Sequence, residues 1–132
     1  MVIDVNYIIL GTMLFMIPKS AKAKGRRLQQ FVRDALRKAF NKSLEDGDVE
    51  SQLMGGTGED IVMSPLAKKK IPYSFECKNV ERLNLWGSLE QAEENSEDRT
   101  PVLVFTKNRK PNYCVIPFDI FIDLIKEDDN EE

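Results

Sequence analysis

The sequence predicts one α/β domain, a mixed central β-sheet flanked by helices, and three observations carry that prediction. At 132 residues with 42% hydrophobic content, the chain can build one core but not two. Ser20 to Phe40 repeats its apolar residues at three- and four-residue steps, the period of a helix. Tyr73 to Lys78 alternates polar with aromatic or apolar residues, the period of a strand, and helical and strand-like segments follow one another from there to the end.

Taken in order, Val5 to Ile17 is a mainly apolar run of about 13 residues, short of the roughly 20 that span a bilayer. No basic residue precedes it, and Pro18-Lys19 follow where a signal peptide would carry a small-residue cleavage pattern. Residues 1–18 therefore read as an extension of unreadable role: an extra strand or helix packed on the body, or an upstream extension of a frame whose working start is Met16. The helix over Ser20–Phe40 directs Leu28, Phe31, Val32, Ala35, Leu36 and Ala39 inward and keeps cationic outer faces. Asn41–Asp48 is a polar turn, and Val49–Met54 is a short strand. Gly55-Gly56-Thr57-Gly58 forms a loop that lets backbone approach closely.

Glu59–Met63 reads as a strand that Ser64-Pro65 ends, and Lys68–Lys70 as a basic turn leading into the Tyr73–Lys78 strand. Leu83–Glu94 is expected to be a helix with Leu85, Trp86, Leu89 and Ala92 inward, followed by a polar loop, Asn95–Arg99. Pro101–Thr106 and Tyr113–Pro117 make a hairpin across the basic turn Lys107–Asn112. A helix over Phe118–Lys126, apolar at Phe118, Phe121, Ile122 and Ile125, closes a single domain over residues 19–126. Residues 127–132 form an acidic tail expected to be disordered.

Composition removes whole classes of chemistry. There is no histidine, which excludes histidine-dependent triads, nucleases and metal sites, and two cysteines cannot form a four-cysteine zinc site. Cys77 and Cys114 read as reduced thiols of an intracellular, cytoplasmic protein with no membrane segment. The net charge of -3 conceals a strongly basic arm: Lys19 to Lys42 holds nine basic residues and one acid, while five acids crowd the last six positions. A basic arm on a near-neutral body points to a polyanionic partner.

Strand alternation puts Ser74, Glu76 and Lys78 on one face and Tyr73, Phe75 and Cys77 on the other. A Glu-x-Lys triplet alone is no more than a surface ion pair in most strands. It gains weight from Asp60, which opens a strand after the glycine loop and precedes Glu76 by 15 intervening residues, so that adjacent strands can bring both carboxylates together. Two carboxylates with waters and substrate oxygens suit Mg²⁺, with Mn²⁺ as a substitute, and Lys78 would orient or deprotonate a metal-bound water. Glu59 should point away from Asp60.

These residues carry a resemblance. KGRRLQQFV (24–32), GGTGEDIV (55–62), FECK (75–78), LWGSLEQA (85–92) and the hairpin PVLVFT with YCVIPF resemble the PD-(D/E)xK nuclease superfamily, and within it the archaeal and phage-type Holliday-junction resolvases. The resemblance implies a restriction-endonuclease-like core and a Mg²⁺-dependent endonuclease acting on branched DNA as a homodimer, in the host cytoplasm if the chain is phage-encoded. It further implies that Asp60, Glu76 and the backbone carbonyl of Cys77 hold the metal, that Lys78 is the catalytic lysine, and that Gln91 positions water or phosphate. Relatives often carry a glutamate on the first helix where this chain reads Leu28-Gln29-Gln30-Phe31, so a second metal is not carried over. DNA contacts are expected at Lys24, Arg26 and Arg27, with Lys68, Lys69, Lys70 and Lys107, Arg109, Lys110 as second and third sets. The competing readings are a repair, replication or restriction nuclease on linear or flapped DNA, a non-cleaving DNA-binding module, and a partner-binding domain whose charges are mere surface.

Overall fold

In a computed structural model, residues 7–10, 13–16, 18–53 and 57–130 are described. The chain is mixed α/β in the order β1 (Tyr7–Leu10), β2 (Met13–Met16), α1 (Pro18–Ala39), β3 (Val49–Ser51), β4 (Ile61–Met63), α2 (Pro65–Lys70), β5 (Tyr73–Asn79), α3 (Leu85–Asn95), β6 (Thr100–Thr106), β7 (Tyr113–Val115) and α4 (Phe118–Asn130). The strands do not form the one central sheet expected. β1 pairs with β2, β3 pairs antiparallel with β4, and β5-β6-β7 make a mixed sheet in which β5 and β6 are parallel and β6 and β7 antiparallel.

The apolar run near the N-terminus thus contains two short strands that, among the described residues, pair only with each other. β3 stops at Ser51 rather than Met54, and Met54 with Gly55 and Gly56, the first half of the glycine loop, lies outside the described residues. Gly58 takes φ +93°, a backbone region that needs glycine, and its carbonyl accepts a hydrogen bond from Asn95 Nδ2 at 3.2 Å. The Lys68–Lys70 turn is instead the last turn of α2. Ser64 caps that helix by accepting from the Ala67 amide at 3.1 Å, and Pro65 fits its first position because that N–H has no helical partner.

The core lies between α1 and the sheets. Leu28 and Val32 are buried, with Leu36 and Phe40 packed half-buried behind them, a narrow stripe at four-residue steps. Phe31, Ala35 and Ala39, expected inward, face out. Leu44, Val49, Ile61, Met63, Ala67, Ile71 and Cys77 complete the cluster. On the opposite face of β5 and β6, α3 crosses over between the two parallel strands and buries Ser88 and Ala92. Trp86, expected in the core, is 75% exposed. α4 also keeps its apolar side chains Phe118, Phe121, Ile122 and Ile125 exposed, because among the described residues no other element packs closely over it. It continues to Asn130, so the first part of the acidic tail is helical rather than disordered; no glycine or proline interrupts the run.

One buried ion pair ties the β3-β4 unit to the main sheet. Arg99, ahead of β6, donates to Glu59 Oε1 at 2.8 Å, Glu59 Oε2 accepts from Ser74 Oγ of β5 at 3.0 Å, and Arg99 also reaches the Tyr73 carbonyl at 3.4 Å. Removing one partner of such a pair strands a charge in the interior. Glu59→Ala is therefore expected to lower unfolding stability by about 3 kcal/mol in urea titration.

Candidate active site

The site forms along the free edge of β5. In an extended strand the N–H and C=O of one residue point to the same side, alternating from residue to residue. The Phe75 carbonyl accepts from the Asp60 amide at 3.3 Å, and the Cys77 amide donates to Asp60 Oδ2 at 2.7 Å, so the odd-numbered residues of β5 address Asp60 while β6 takes the other edge. The Cys77 carbonyl consequently shares this edge with the Asp60 carboxylate. Asp60 lies one residue before β4, not within it.

Glu76 points to the α3 face and is only 3% exposed, which removes the surface-ion-pair reading. Its Oε1 lies 3.5 Å from Lys78 Nζ, and Lys78 Nζ donates to Gln91 Oε1 at 2.8 Å. The four side chains singled out in the sequence, Asp60, Glu76, Lys78 and Gln91, are thus brought together. Asn95, expected in a loop, ends α3 one turn beyond Gln91 and helps to hold Glu76 in its charged form. The spacing explains it: helical residues four apart lie about 6 Å apart along the axis, close to the span of two strand residues. Gln91 and Asn95 therefore match Lys78 and Glu76. Gln29 of α1 also favours the charged form of the Asp60 carboxyl.

Burial is the largest influence on both acids. It raises the pKa of Asp60 despite the hydrogen bond from the Cys77 amide, and together with the charge on Asp60 it pushes Glu76 up to about 7. Burial likewise pushes the Cys77 thiol up, so that thiol is no nucleophile. Glu76 Oε2 is buried with no hydrogen-bond partner. An unpartnered carboxylate oxygen beside a second carboxylate and a backbone carbonyl is a hard-oxygen donor set that fits Mg²⁺, a cation that keeps several waters and needs few protein ligands. Among the described residues no group of three or more His, Cys, Asp or Glu gathers, so a third acidic ligand is not supplied there.

The basic residues divide into two groups. Lys24 lies where α1 meets the end of β5, its carbonyl accepting from Asn79 Nδ2 at 3.2 Å, and Arg26 and Arg27 follow, exposed. Lys107, Arg109 and Lys110 follow β6 at the same end of the sheet as Lys78. Lys68, Lys69 and Lys70 precede β5 at the opposite end of a strand roughly 20 Å long. There Lys68 pairs with Glu97 at 3.5 Å, so the structure does not bring this set to Lys78. Comparison with known proteins finds no matching family model, no similar curated protein and no similar solved structure.

The raised carboxyls make a pH prediction for the protein in EDTA. Between the ordinary carboxyl range and about pH 7 the folded state binds more protons than the unfolded one, so stability falls as pH rises through that window and levels off above it. Glu76→Gln removes most of this slope. The variant should match the parent near pH 4 and exceed it at pH 8 by on the order of 2 kcal/mol in thermal melts across that range.

Proposed function

We propose that this chain is a metal-dependent endonuclease of PD-(D/E)xK type that hydrolyses phosphodiester bonds in branched DNA such as Holliday junctions. The observation that carries the reading is the convergence of Asp60, buried Glu76 with its unpartnered oxygen, Lys78 and Gln91 at one strand edge. The restriction-endonuclease-like core belongs to this proposal. Its support is the order of α1, the Asp60 segment, the Glu-x-Lys strand β5, the crossover helix α3 and the parallel strand β6.

In this reading Asp60, Glu76 and the Cys77 carbonyl hold one Mg²⁺ or Mn²⁺, which when bound supplies phosphate polarisation and a water of lowered pKa. Lys78, held between Glu76 and Gln91, has its amine directed at the carboxylate pair, where it offsets charge on the phosphate and orients the attacking water. Gln91 fixes the rotamer of Lys78. Gln29 favours the ionised form of the Asp60 carboxyl without adding a charge.

Lys24, Arg26 and Arg27 hold the phosphate backbone. Cutting two strands calls for two copies of the site, and the apolar side chains exposed on α4 and at Trp86 offer a surface through which a homodimer would associate. Among the described residues no helix is long and apolar enough to cross a membrane, and the proposed reaction belongs in the cytoplasm, where such DNA is found.

Asp60→Ala, Glu76→Ala and Lys78→Ala are each expected to lower Mg²⁺-dependent cleavage about 100-fold or more while DNA binding persists. The measurement is single-turnover cleavage on a panel of junction, flap, single-stranded and duplex DNA. Cutting at the parental rate by all three variants would sink the nuclease reading, and binding by the parent without cleavage would favour a non-cleaving module. Replacing Lys24, Arg26 and Arg27 together with Ala should weaken duplex binding about equally across sequences and flatten its salt dependence. An unchanged salt slope would exclude this face as the backbone contact.

A further inference from the structure

Lys78 is paired in register with Phe105 on β6, and Phe105 with Tyr113 on β7. Residues in register across a sheet project to the same face, so these three side chains stand in one row with Tyr113 about 10 Å from Lys78. The Phe105 and Tyr113 rings lie 6.0 Å apart at an interplanar angle of 28°. Tyr113 is nonetheless 57% exposed.

A recess of about 350 Å³ beside Lys78 and Gln91 shares Val80 and Leu83 with a recess of about 380 Å³ in front of Phe105 and Tyr113. Both adjoin a more polar hollow of about 690 Å³. It shares Arg82 with the first and Glu81, Lys107 and Lys110 with the second. The three are one continuous furrow. It carries a cation at each step, Lys78, Arg82, then Lys107 and Lys110, against a single lining carboxylate, Glu81, whose Oε2 accepts from the Asn108 amide at 3.2 Å and so holds the basic turn in place. At the tip of that turn Arg109 sits at φ +65°, a conformation costing a non-glycine residue roughly 1 kcal/mol.

We propose that this furrow receives an unpaired nucleotide strand leading away from the scissile phosphate, its phosphates against Arg82 and Lys110 and one base stacked on the free face of Tyr113. A base is an aromatic plate that needs a ring to lie on, and it is free to do so only when it is not paired. A cationic groove with an aromatic platform is the arrangement that binds single strands with little regard to sequence. A distance of about 10 Å from Lys78 places that base one or two nucleotides from the bond to be cut. The inference rests on the nuclease reading for what lies at the Lys78 end, and it assigns to Arg82 and Tyr113 the selection of substrates with an unpaired flank.

The test is equilibrium binding in EDTA of a 12-nucleotide single strand and of a blunt duplex of equal length, with 2-aminopurine at successive positions of the single strand. The parent is expected to bind the single strand with quenching of the 2-aminopurine emission at one position. Tyr113→Ala should weaken that binding about 5- to 100-fold and abolish the quenching, and Tyr113→Phe should keep both. Arg82→Ala should lower the salt slope for the single strand by about 0.7 while leaving the thermal melt of the protein unchanged. Failure of the parent to bind the single strand overturns the inference, as does parental affinity and quenching in Tyr113→Ala. Because no metal or cleavage enters these measurements, they are independent of the Asp60, Glu76 and Lys78 variants. A furrow that binds in a protein that never cuts would count against the nuclease alone, and a nuclease indifferent to Tyr113 against the furrow alone.

Discussion

The structure depends on the free edge of β5 and on what Asp60 does there. A strand edge presents N–H and C=O groups that must be satisfied, and the ordinary solution is another strand. Here the Asp60 amide takes the Phe75 carbonyl, but its carboxylate rather than a carbonyl takes the Cys77 amide. A side chain standing in for a backbone acceptor stops the ladder after one step. Ile61–Met63 are then left to pair with β3 instead, and the β3-β4 unit and the β5-β6-β7 sheet meet at a seam. The site occupies that seam because the substitution itself puts a carboxylate there.

The rest follows from having a carboxylate in such a position. Glu59, next in the chain, must turn the other way, and it does so into the Arg99 pair that closes the seam from the opposite end. Glu76 faces α3, and the crossover from β5 to the parallel β6 runs that helix back along the strand. Gln91 meets Lys78, and Asn95 lies one turn further on beside Glu76. Neither contact needs a special loop; they come from matching a helical repeat of four to a strand repeat of two.

Much of this was legible in the sequence because it rests on periodicity. The alternation of Tyr73–Lys78 separates Glu76 and Lys78 from Cys77, and the order of segments brings Asp60 and Gln91 to them. Asn95 was within reach of the same reasoning, since it follows Gln91 by four as Glu76 precedes Lys78 by two. Ser64-Pro65 likewise spelled a capped helix start, although the lysines after it read as a turn. Other features were not legible. An apolar stripe records that a face wants covering and is silent on whether the chain supplies the cover, which is why Trp86, Phe31 and the α4 residues were expected inward and lie exposed. Arg99 is a lone arginine in a polar loop, and only the fold reveals that Glu59 and Tyr73 are waiting for it.

Among the described residues two buried polar side-chain atoms lack partners, and they differ in kind. Arg99 Nε belongs to a guanidinium whose other nitrogens are bonded to Glu59 and Tyr73, so its charge is already compensated. Glu76 Oε2 belongs to a carboxylate that faces another acid and is approached by a single cation at 3.5 Å. A buried unpaired acceptor costs a fold about 1–3 kcal/mol, and more when it carries charge. Nothing in the packing of β5 asks for that expense, because a glutamine at the same position would fill the space without the repulsion from Asp60. A local violation with no structural return is what a functional site looks like, and it sets Glu76 apart from the other residues of β5.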